Sequence, residues 1–134
     1  MDAQKNKELL EEIFSRMAKG EVQAMSEAMA DDFRWTFPGT WSWAGTREPK
    51  QAALDHLLRP LMAQFAAYRS EAHLIIAEHD RVVVQAKAHA TTTNGDDYPQ
   101  TYCYIFRLKN SKITEVTEYC DTALAERVLT RPPT

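Results

Sequence analysis

The side chains of this sequence that could bind a metal ion or act as nucleophiles are few and widely separated. The two cysteines are Cys103 and Cys120, and three of the four histidines, His73, His79 and His89, alternate along stretches rich in β-branched residues. None of these residues stands at the short intervals of a zinc motif. Two cysteines are also too few for a disulfide framework, so the sequence predicts free thiols and no metal site.

The segment DFRWTFPGTWSWAG, residues 32–45, concentrates aromatic surface around a Pro-Gly turn. Trp35, Trp41 and Trp43 fall within nine residues and have few charged neighbours. Such a cluster can be core, a partner-facing patch or one wall of a ligand cavity. These three interpretations remain open at this point.

Composition excludes several classes of function. The 134 residues carry 16 basic and 19 acidic side chains, a net charge of −3, and these charges are interspersed. A nucleic-acid surface needs a basic stripe, so no nucleic-acid partner is expected. No apolar run is long enough to span a membrane, and the polar start MDAQKNKELLEE does not resemble a secretory signal, so the default expectation is a cytoplasmic protein.

The pattern of apolar residues predicts three helices in the first half of the chain. The first covers Lys5–Lys19 and ends at Gly20, the second covers Glu21–Ala30, and the third covers Glu48–Phe65. Pro60 removes an interior hydrogen bond, so it should kink or split the third helix.

The remainder of the sequence predicts strands. Phe33–Phe37 is extended, TWSWA is a brief second extended piece, and consecutive antiparallel strands follow Tyr68, with turns at His79-Asp80 and Asn110-Ser111. The order of elements predicts an α+β fold with helices on one face of the sheet. The expected organisation is a single domain over residues 1–134, with its core at about 5–121 and a C-terminal tail at 122–134.

Several of these features together resemble one family. They are the glycine after the first helix, the helix end AMADDF, the aromatic strand, the G-T before the third helix and the closing hairpin YIFRLKNSKITEVTEYCDT. In these features the chain is similar to the SnoaL-like group of the nuclear-transport-factor-2-like (cystatin-like α+β) superfamily, over roughly Lys5 to Asp121. The resemblance implies a cone-shaped α+β barrel, in which three N-terminal helices pack in the concave face of a strongly curved mixed or antiparallel sheet. It also implies a deep apolar cavity for a small hydrophobic molecule, and a homodimer formed through the convex face.

The same resemblance indicates which known chemistries the chain lacks. In ketosteroid isomerases a tyrosine, a base and a second acid would correspond to Ile13, Phe37 and Tyr104 here. In limonene epoxide hydrolases a strand arginine and aspartate would correspond to Ala86 and Ala88. Steroid isomerisation and epoxide hydrolysis by those mechanisms are therefore not expected.

Some SnoaL-type cyclases manage with one carboxylate, and the resemblance makes Glu118 the candidate general acid/base. Burial against an apolar cavity would raise its pKa towards neutrality. Tyr102 and Tyr104, two apart on the neighbouring strand, could donate hydrogen bonds to a developing oxyanion. Such chemistry needs no cofactor. The alternative is a non-catalytic binder of a hydrophobic ligand, or a dimeric scaffold.

Strand and helix periodicity, placed on that fold, gives the expected ligand-binding residues. Alternate side chains of Phe33–Phe37 would line the cavity and the later tryptophans would lie near its mouth. The alanines at 86, 88 and 90 would share the inward face and leave room for a bulky ligand. The full set is Trp35, Phe37, Trp41, Trp43, His56, Ala86, Ala88, Val116 and Cys120.

The facing of the last strand stays open in the sequence. A regular two-residue turn at Asn110-Ser111 puts Tyr104 on the face of Thr117 and Tyr119. In that case Tyr119 and Asp121 replace Glu118 as the candidate catalytic residues. A bulge or a three-residue loop shifts the pairing by one and puts Glu118 beside Tyr104.

Overall fold

The computed structural model describes residues 2–133 and is built around one curved, mixed sheet of six strands. The spatial order is β2-β1-β6-β5-β4-β3. Strands β1 and β6 are parallel, and all the other neighbours are antiparallel. The strands are β1 (Met29–Phe37), β2 (Gly45–Arg47), β3 (Phe65–Glu78), β4 (Arg81–Thr92), β5 (Thr101–Lys109) and β6 (Lys112–Cys120).

Residues 2–133 form four helices, one more than the three that the sequence predicts in the first half of the chain. These are α1 (Ala3–Met17), α2 (Gln23–Glu27), α3 and α4 (Thr122–Val128). Helix α3 is continuous but has three parts: an α-helical start at Lys50–Ala53, a π-helical turn at Leu54–Leu58 and an α-helical end at Arg59–Met62. The π turn comes just before Pro60, so the proline interrupts the α-helical hydrogen bonding without splitting the helix.

The structure corrects three element boundaries. Met29 lies in β1, where it pairs with Ile113, and not in the second helix. The sequence could not distinguish the two, because a single buried residue fits the spacing of a helix as well as that of a strand. TWSWA is not extended: it makes a turn closed by the bond from Ala44 N to Trp41 O (3.0 Å), and the second strand begins after it, at Gly45. The third helix ends at Met62, so Phe65 opens β3 instead of closing the helix.

The core lies between the inner face of the sheet and α1. The buried stripe of that helix consists of Leu10, Ile13, Phe14 and Met17. The Phe14 ring centroid is 5.7 Å from that of Tyr104 on β5. Strands with one buried face alternate between buried and exposed residues, as β4 does over Val82–Ala88. The sheet therefore has an inner face that packs on the helices and an outer face that none of them covers.

The β5–β6 hairpin determines which way Glu118 points. Its turn has two residues with positive φ, Asn110 at 52° and Ser111 at 61°, as a type I′ turn requires. Leu108 pairs with Ile113, but Arg107 pairs with Glu115, so Thr114 is an extra residue that forms a bulge. The two-residue turn and the bulge, which the sequence left open as alternatives, are therefore both present in this hairpin.

Because of this bulge, Tyr104 pairs with Glu118, and Tyr119 lies on the outer face with half of its surface exposed. Glu118 and Tyr104 consequently lie on the inner face.

The C-terminal residues pack against the open end of the sheet. Asp121 begins α4 by accepting a hydrogen bond from Leu124 N (3.1 Å) on its Oδ1 atom. Leu124 and Ala125 are buried against Tyr98, in a small cluster separate from the main core. None of the described helices combines the length and apolarity needed to cross a membrane.

Candidate functional site

A cavity of about 330 Å³ opens between the inner face of the sheet and the helices α2 and α3. Its lining is mostly aromatic and aliphatic, and its size falls in the range of small-molecule sites. The lining residues are Met17, Val22, Gln23, Met25, Ser26, Trp35, Phe37, Trp41, Trp43, Leu54, Leu58, Arg59, Leu61, Met62, Phe65, Tyr68, Tyr98, Tyr102, Tyr104, Glu118, Cys120 and Leu129.

Glu118 is the one acidic side chain on this lining. It is only 7 % exposed, it pairs across the sheet with Tyr104, and the parallel register of β1 and β6 puts Phe37 on its other side. No hydrogen bond or ion pair holds its carboxyl group among residues 2–133. Burial therefore raises the pKa of Glu118 well above its ordinary value.

The indole of Trp35 is the one group that opposes this effect of burial. Its N–H approaches the Glu118 carboxyl group and favours the charged form, which lowers the pKa of that group by less than burial raises it. The approach does not reach hydrogen-bond geometry, so Trp35 Nε1 is a buried donor without a partner in the described part of the chain. A buried donor of this kind costs free energy, typically about 1–3 kcal/mol.

Four tyrosines contribute phenol hydroxyl groups to the cavity, whose polar lining also includes Gln23, Ser26 and Arg59. The rings of Tyr102 and Tyr104 stack at 5.2 Å, and the hydroxyl groups of Tyr68 and Tyr102 are 2.6 Å apart. Burial raises the pKa of all four, Tyr98 included, so they stay protonated at neutral pH. Each phenol has one hydrogen, and one of the Tyr68–Tyr102 pair donates its hydrogen to the other, so the remaining hydroxyl groups can donate to a ligand oxygen.

The structure brings most of the predicted site residues to this cavity. Glu118, Tyr104 and Tyr102 line it, and so do four of the aromatic residues of the segment 32–45 and one of the two cysteines. These five are Trp35, Phe37, Trp41, Trp43 and Cys120. Burial raises the pKa of the Cys120 thiol to about 12, which keeps it unreactive as a nucleophile.

Four predicted ligand contacts do not line the cavity. Ala86 and Ala88 are buried on β4, between the strands that carry Tyr68 and Tyr102, so the space that the alanines leave accommodates tyrosine rings. Val116 is buried in the core, and His56 is exposed on α3. For the three strand residues the inward periodicity was a poor guide to cavity contact, since inward-facing positions also build the core, whereas His56 lies on the exposed side of α3.

Sequence reasoning missed two of the tyrosines and the contribution of the C-terminal tail. Tyr98 comes from the loop TNGDDYP, where a lone aromatic among polar residues was a usable signal. Tyr68 stands at the helix-to-strand transition and Leu129 in the presumed tail, and neither position carries a comparable signal.

The C-terminal segment closes one end of the cavity next to the tryptophan-rich turn. Trp43 Nε1 donates to Thr130 O (2.9 Å), and Ser42 donates from Oγ to Glu126 (2.8 Å). The Arg47 guanidinium lies 5.9 Å from the centroid of the Trp43 ring, a cation–π arrangement. Trp43 thus serves both as cavity wall and as an attachment point for the tail, while Trp41 lines the cavity and packs against the cluster of Leu124 and Ala125.

Among residues 2–133, no group of three histidine, cysteine, aspartate or glutamate side chains is placed to share an ion.

Comparison with known families identifies a model that matches this chain. The family model described as "SnoaL-like domain" matches residues 10–116, which is most of the chain. No curated protein matches the chain in sequence.

Solved structures show the same fold at low identity. An NTF2-like protein of unknown function from Burkholderia pseudomallei is 22 % identical, with a TM-score of 0.78 over 97 % of this chain and 99 % of that one. A putative SnoaL-like polyketide cyclase from Jannaschia sp. CCS1 is 19 % identical, with a TM-score of 0.77 over 98 % and 95 %. TerC, co-crystallized with polyporic acid, is 18 % identical, with a TM-score of 0.75 over 92 % and 96 %.

Proposed function

The chain belongs to the SnoaL-like domain family, and we propose that it binds a small hydrophobic carbonyl compound in the inner cavity and uses Glu118 as a cofactor-free general acid/base. The observation that carries the proposal is a carboxyl group buried on the wall of an apolar cavity with no cation beside it among the described residues. A raised pKa brings such a group closer to the range where it can both take and return a proton at neutral pH.

Fold relatives support a small-molecule ligand. One is described as a putative polyketide cyclase, one as a putative hydroxylase, and one was co-crystallized with polyporic acid. The cavity volume of about 330 Å³ suits a molecule of two or three fused rings.

The proton steps balance within the cavity. The Glu118 carboxylate takes a proton from the carbon next to the carbonyl group, and the electron pair of that C–H bond moves to form an enolate. The Tyr104 hydroxyl donates a hydrogen bond to the enolate oxygen, which spreads the developing charge. The Glu118 carboxylic acid then returns its proton to a carbon atom of the enolate, which regenerates the Glu118 carboxylate for the next catalytic cycle.

A second candidate function is non-catalytic binding of the same class of ligand. The observation in its favour is that positions 13 and 37 carry buried hydrocarbon side chains, Ile13 and Phe37. The resemblance to ketosteroid isomerases implies polar catalytic groups at these two positions. The two functions share the cavity and differ only in proton transfer.

The experiment that separates them is hydrogen–deuterium exchange of 2-tetralone in D₂O, followed by proton NMR with and without protein. We expect the wild-type chain to accelerate exchange next to the carbonyl group. Glu118→Gln should lower that acceleration by roughly 10²–10⁴-fold, since it removes the general base.

The matched control is Glu115→Gln, on the same strand but paired with the exposed Arg34. Its exchange rate should stay at the wild-type value. If wild type fails to accelerate exchange although 2-tetralone binds, the binder is the correct function. If Glu118→Gln exchanges as fast as wild type, Glu118 is not the base.

A further inference from the structure

Tyr98 occupies a distinct position in the cavity because it comes from the loop between β4 and β5 and not from a helix or strand. It is 4 % exposed and its ring centroid lies 5.3 Å from that of Phe65. Its backbone N–H donates to Ala90 O (2.9 Å), which ties the loop to β4. Both the ring and the main chain of Tyr98 are therefore fixed.

The neighbouring Gln100 has a side chain whose orientation is decided by two backbone donors. It is fully buried, and the N–H groups of Thr101 (2.9 Å) and Asp121 (2.7 Å) both point at the same side-chain atom. An atom that receives two N–H groups must be the amide oxygen, Oε1. The other atom is consequently Nε2, which can only donate.

Nε2 of Gln100 donates its two hydrogens to two oxygens. One is Asp121 O and the other is the Tyr98 hydroxyl, each 2.9 Å away. The Tyr98 oxygen is thus an acceptor in this contact, so its own proton must point in another direction. In the described residues no acceptor receives that proton, and the Tyr98 side chain lines the cavity.

We propose that the Tyr98 hydroxyl is a specificity-determining donor that binds an acceptor oxygen of the ligand, such as a carbonyl oxygen, and that Gln100 is the positioning residue that fixes its direction. The inference rests on the proposed function, because it assumes an apolar ligand in this cavity. It adds that the ligand carries an acceptor oxygen at the end of the cavity formed by the β4–β5 loop. A pure hydrocarbon of the same shape leaves this buried donor unpaired, so it binds less tightly.

The test uses 9-fluorenone and fluorene, which have the same ring skeleton and differ in a carbonyl group against a methylene group. Equilibrium dialysis of the full chain against each compound gives two dissociation constants. We expect wild type to prefer 9-fluorenone by about threefold to tenfold, the effect of one neutral hydrogen bond. Tyr98→Phe should remove most of this preference, because the donor is lost while the ring and its packing on Phe65 remain.

Two further variants identify the origin of the effect. Tyr119→Phe removes a phenol from the outer face and should leave the preference as in wild type. Gln100→Glu presents a second acceptor oxygen to Tyr98 and turns its proton away from the cavity, so the folded variant should lose the preference as Tyr98→Phe does.

Each outcome of the dialysis experiment either supports or overturns the role of Tyr98. If both compounds bind and Tyr98→Phe keeps the wild-type preference, the Tyr98 inference is overturned and the proposed function stands. If neither compound binds, the apolar ligand of the proposed function is overturned and the inference with it. Should Gln100→Glu not fold, the Tyr98→Phe ratio alone decides the role of Tyr98.

Discussion

Folding removes the Glu118 carboxyl group from water without providing a cation among the described residues, and this has a consequence for stability. The folded-state pKa lies above the ordinary value of 4.5, so between these two pKa values the folded chain binds more protons than the unfolded chain. The free energy of unfolding must then fall as pH rises from about 4.5 through the folded-state pKa. Each unit of the pKa shift corresponds to about 1.4 kcal/mol.

We therefore predict that Glu118→Gln is more stable than wild type at neutral pH and loses this part of the pH dependence. The difference should disappear near pH 4, where both chains have an uncharged side chain at this position. Urea unfolding between pH 4 and 8 measures it, with Glu11→Gln on the exposed side of α1 as the control. A wild-type curve parallel to that of Glu118→Gln would contradict the burial of an unpaired carboxyl group.

Trp35 gives a second prediction at the residue scale. Its indole N–H favours the charged form of Glu118, so Trp35→Phe should raise the pKa of Glu118 further. Carbon-13 NMR of labelled glutamate carboxyl groups follows this pKa directly. Trp41→Phe is the matched control, since the Trp41 N–H is already donated to Pro38 O (3.1 Å). An unchanged pKa in Trp35→Phe would show that the indole does not act on the carboxyl group.

Among the structural elements, the β5–β6 hairpin carries the register on which the site depends. Both turn residues have positive φ, and the second of them, Ser111, is a residue for which that conformation is unfavourable. Ser111→Gly should raise the free energy of unfolding by about 0.5–1 kcal/mol, since Asn-Gly is the favoured pair for this turn. Urea unfolding measures the change, and a destabilised Ser111→Gly chain would argue against a type I′ turn.

The same hairpin shows how far the sequence could lead. Turn chemistry at Asn110-Ser111 is readable in sequence, and it alone predicts the wrong face for Glu118. The bulge at Thr114 restores Glu118 to the inner face, and its trace in the sequence is the spacing of the buried Ile113 and Val116, three apart where a regular strand has two or four. The buried stripes of the helices were also predictable, because buried residues recur along the sequence with the period of the helix.

Cavity contact was less predictable, because it depends on volume as well as on direction. Ala88 faces inward as its period predicts, but it lies on β4 between Ala86 and Ala90, the register partners of Tyr102 and Tyr68, whose hydroxyl groups meet at 2.6 Å. Which side chain reaches the cavity is therefore set by neighbours that are distant in sequence.

Helix α4 belongs to the cavity and not to a dispensable tail. It packs on Tyr98, and the residues after it accept the Trp43 indole hydrogen and place Leu129 on the lining. Deletion of residues 122–134 should lower the melting temperature and weaken binding of fluorene at least several-fold, because one wall is lost. Thermal unfolding and dialysis measure both, with deletion of residues 132–134 as the control. Unchanged binding would show that the tail does not close the cavity.

At the scale of the whole molecule, the outer face of the sheet carries three of the large hydrophobic residues that remain exposed. Leu74 and Ile76 on β3 are 44 % and 53 % exposed, and Tyr119 on β6 is 50 % exposed. An apolar group of this kind on a sheet face that no helix covers is typical of an interaction surface. We propose that a second copy of the chain covers it, as the family resemblance implies, since isologous contact buries the same residues on both partners.

The proposed dimer gives a prediction about mass in solution. Size-exclusion chromatography with light scattering should give twice the mass of the 15.3 kDa chain. Ile76→Lys places a charge on the buried face of the dimer, so it should shift the mass to that of one chain while the circular dichroism spectrum stays the same. Glu11→Lys, on the exposed side of α1, should leave the dimer intact. Because the cavity opens on the opposite face of the sheet, the Ile76→Lys monomer should still bind 9-fluorenone, and a wild-type chain that elutes as a monomer would overturn the proposed interface.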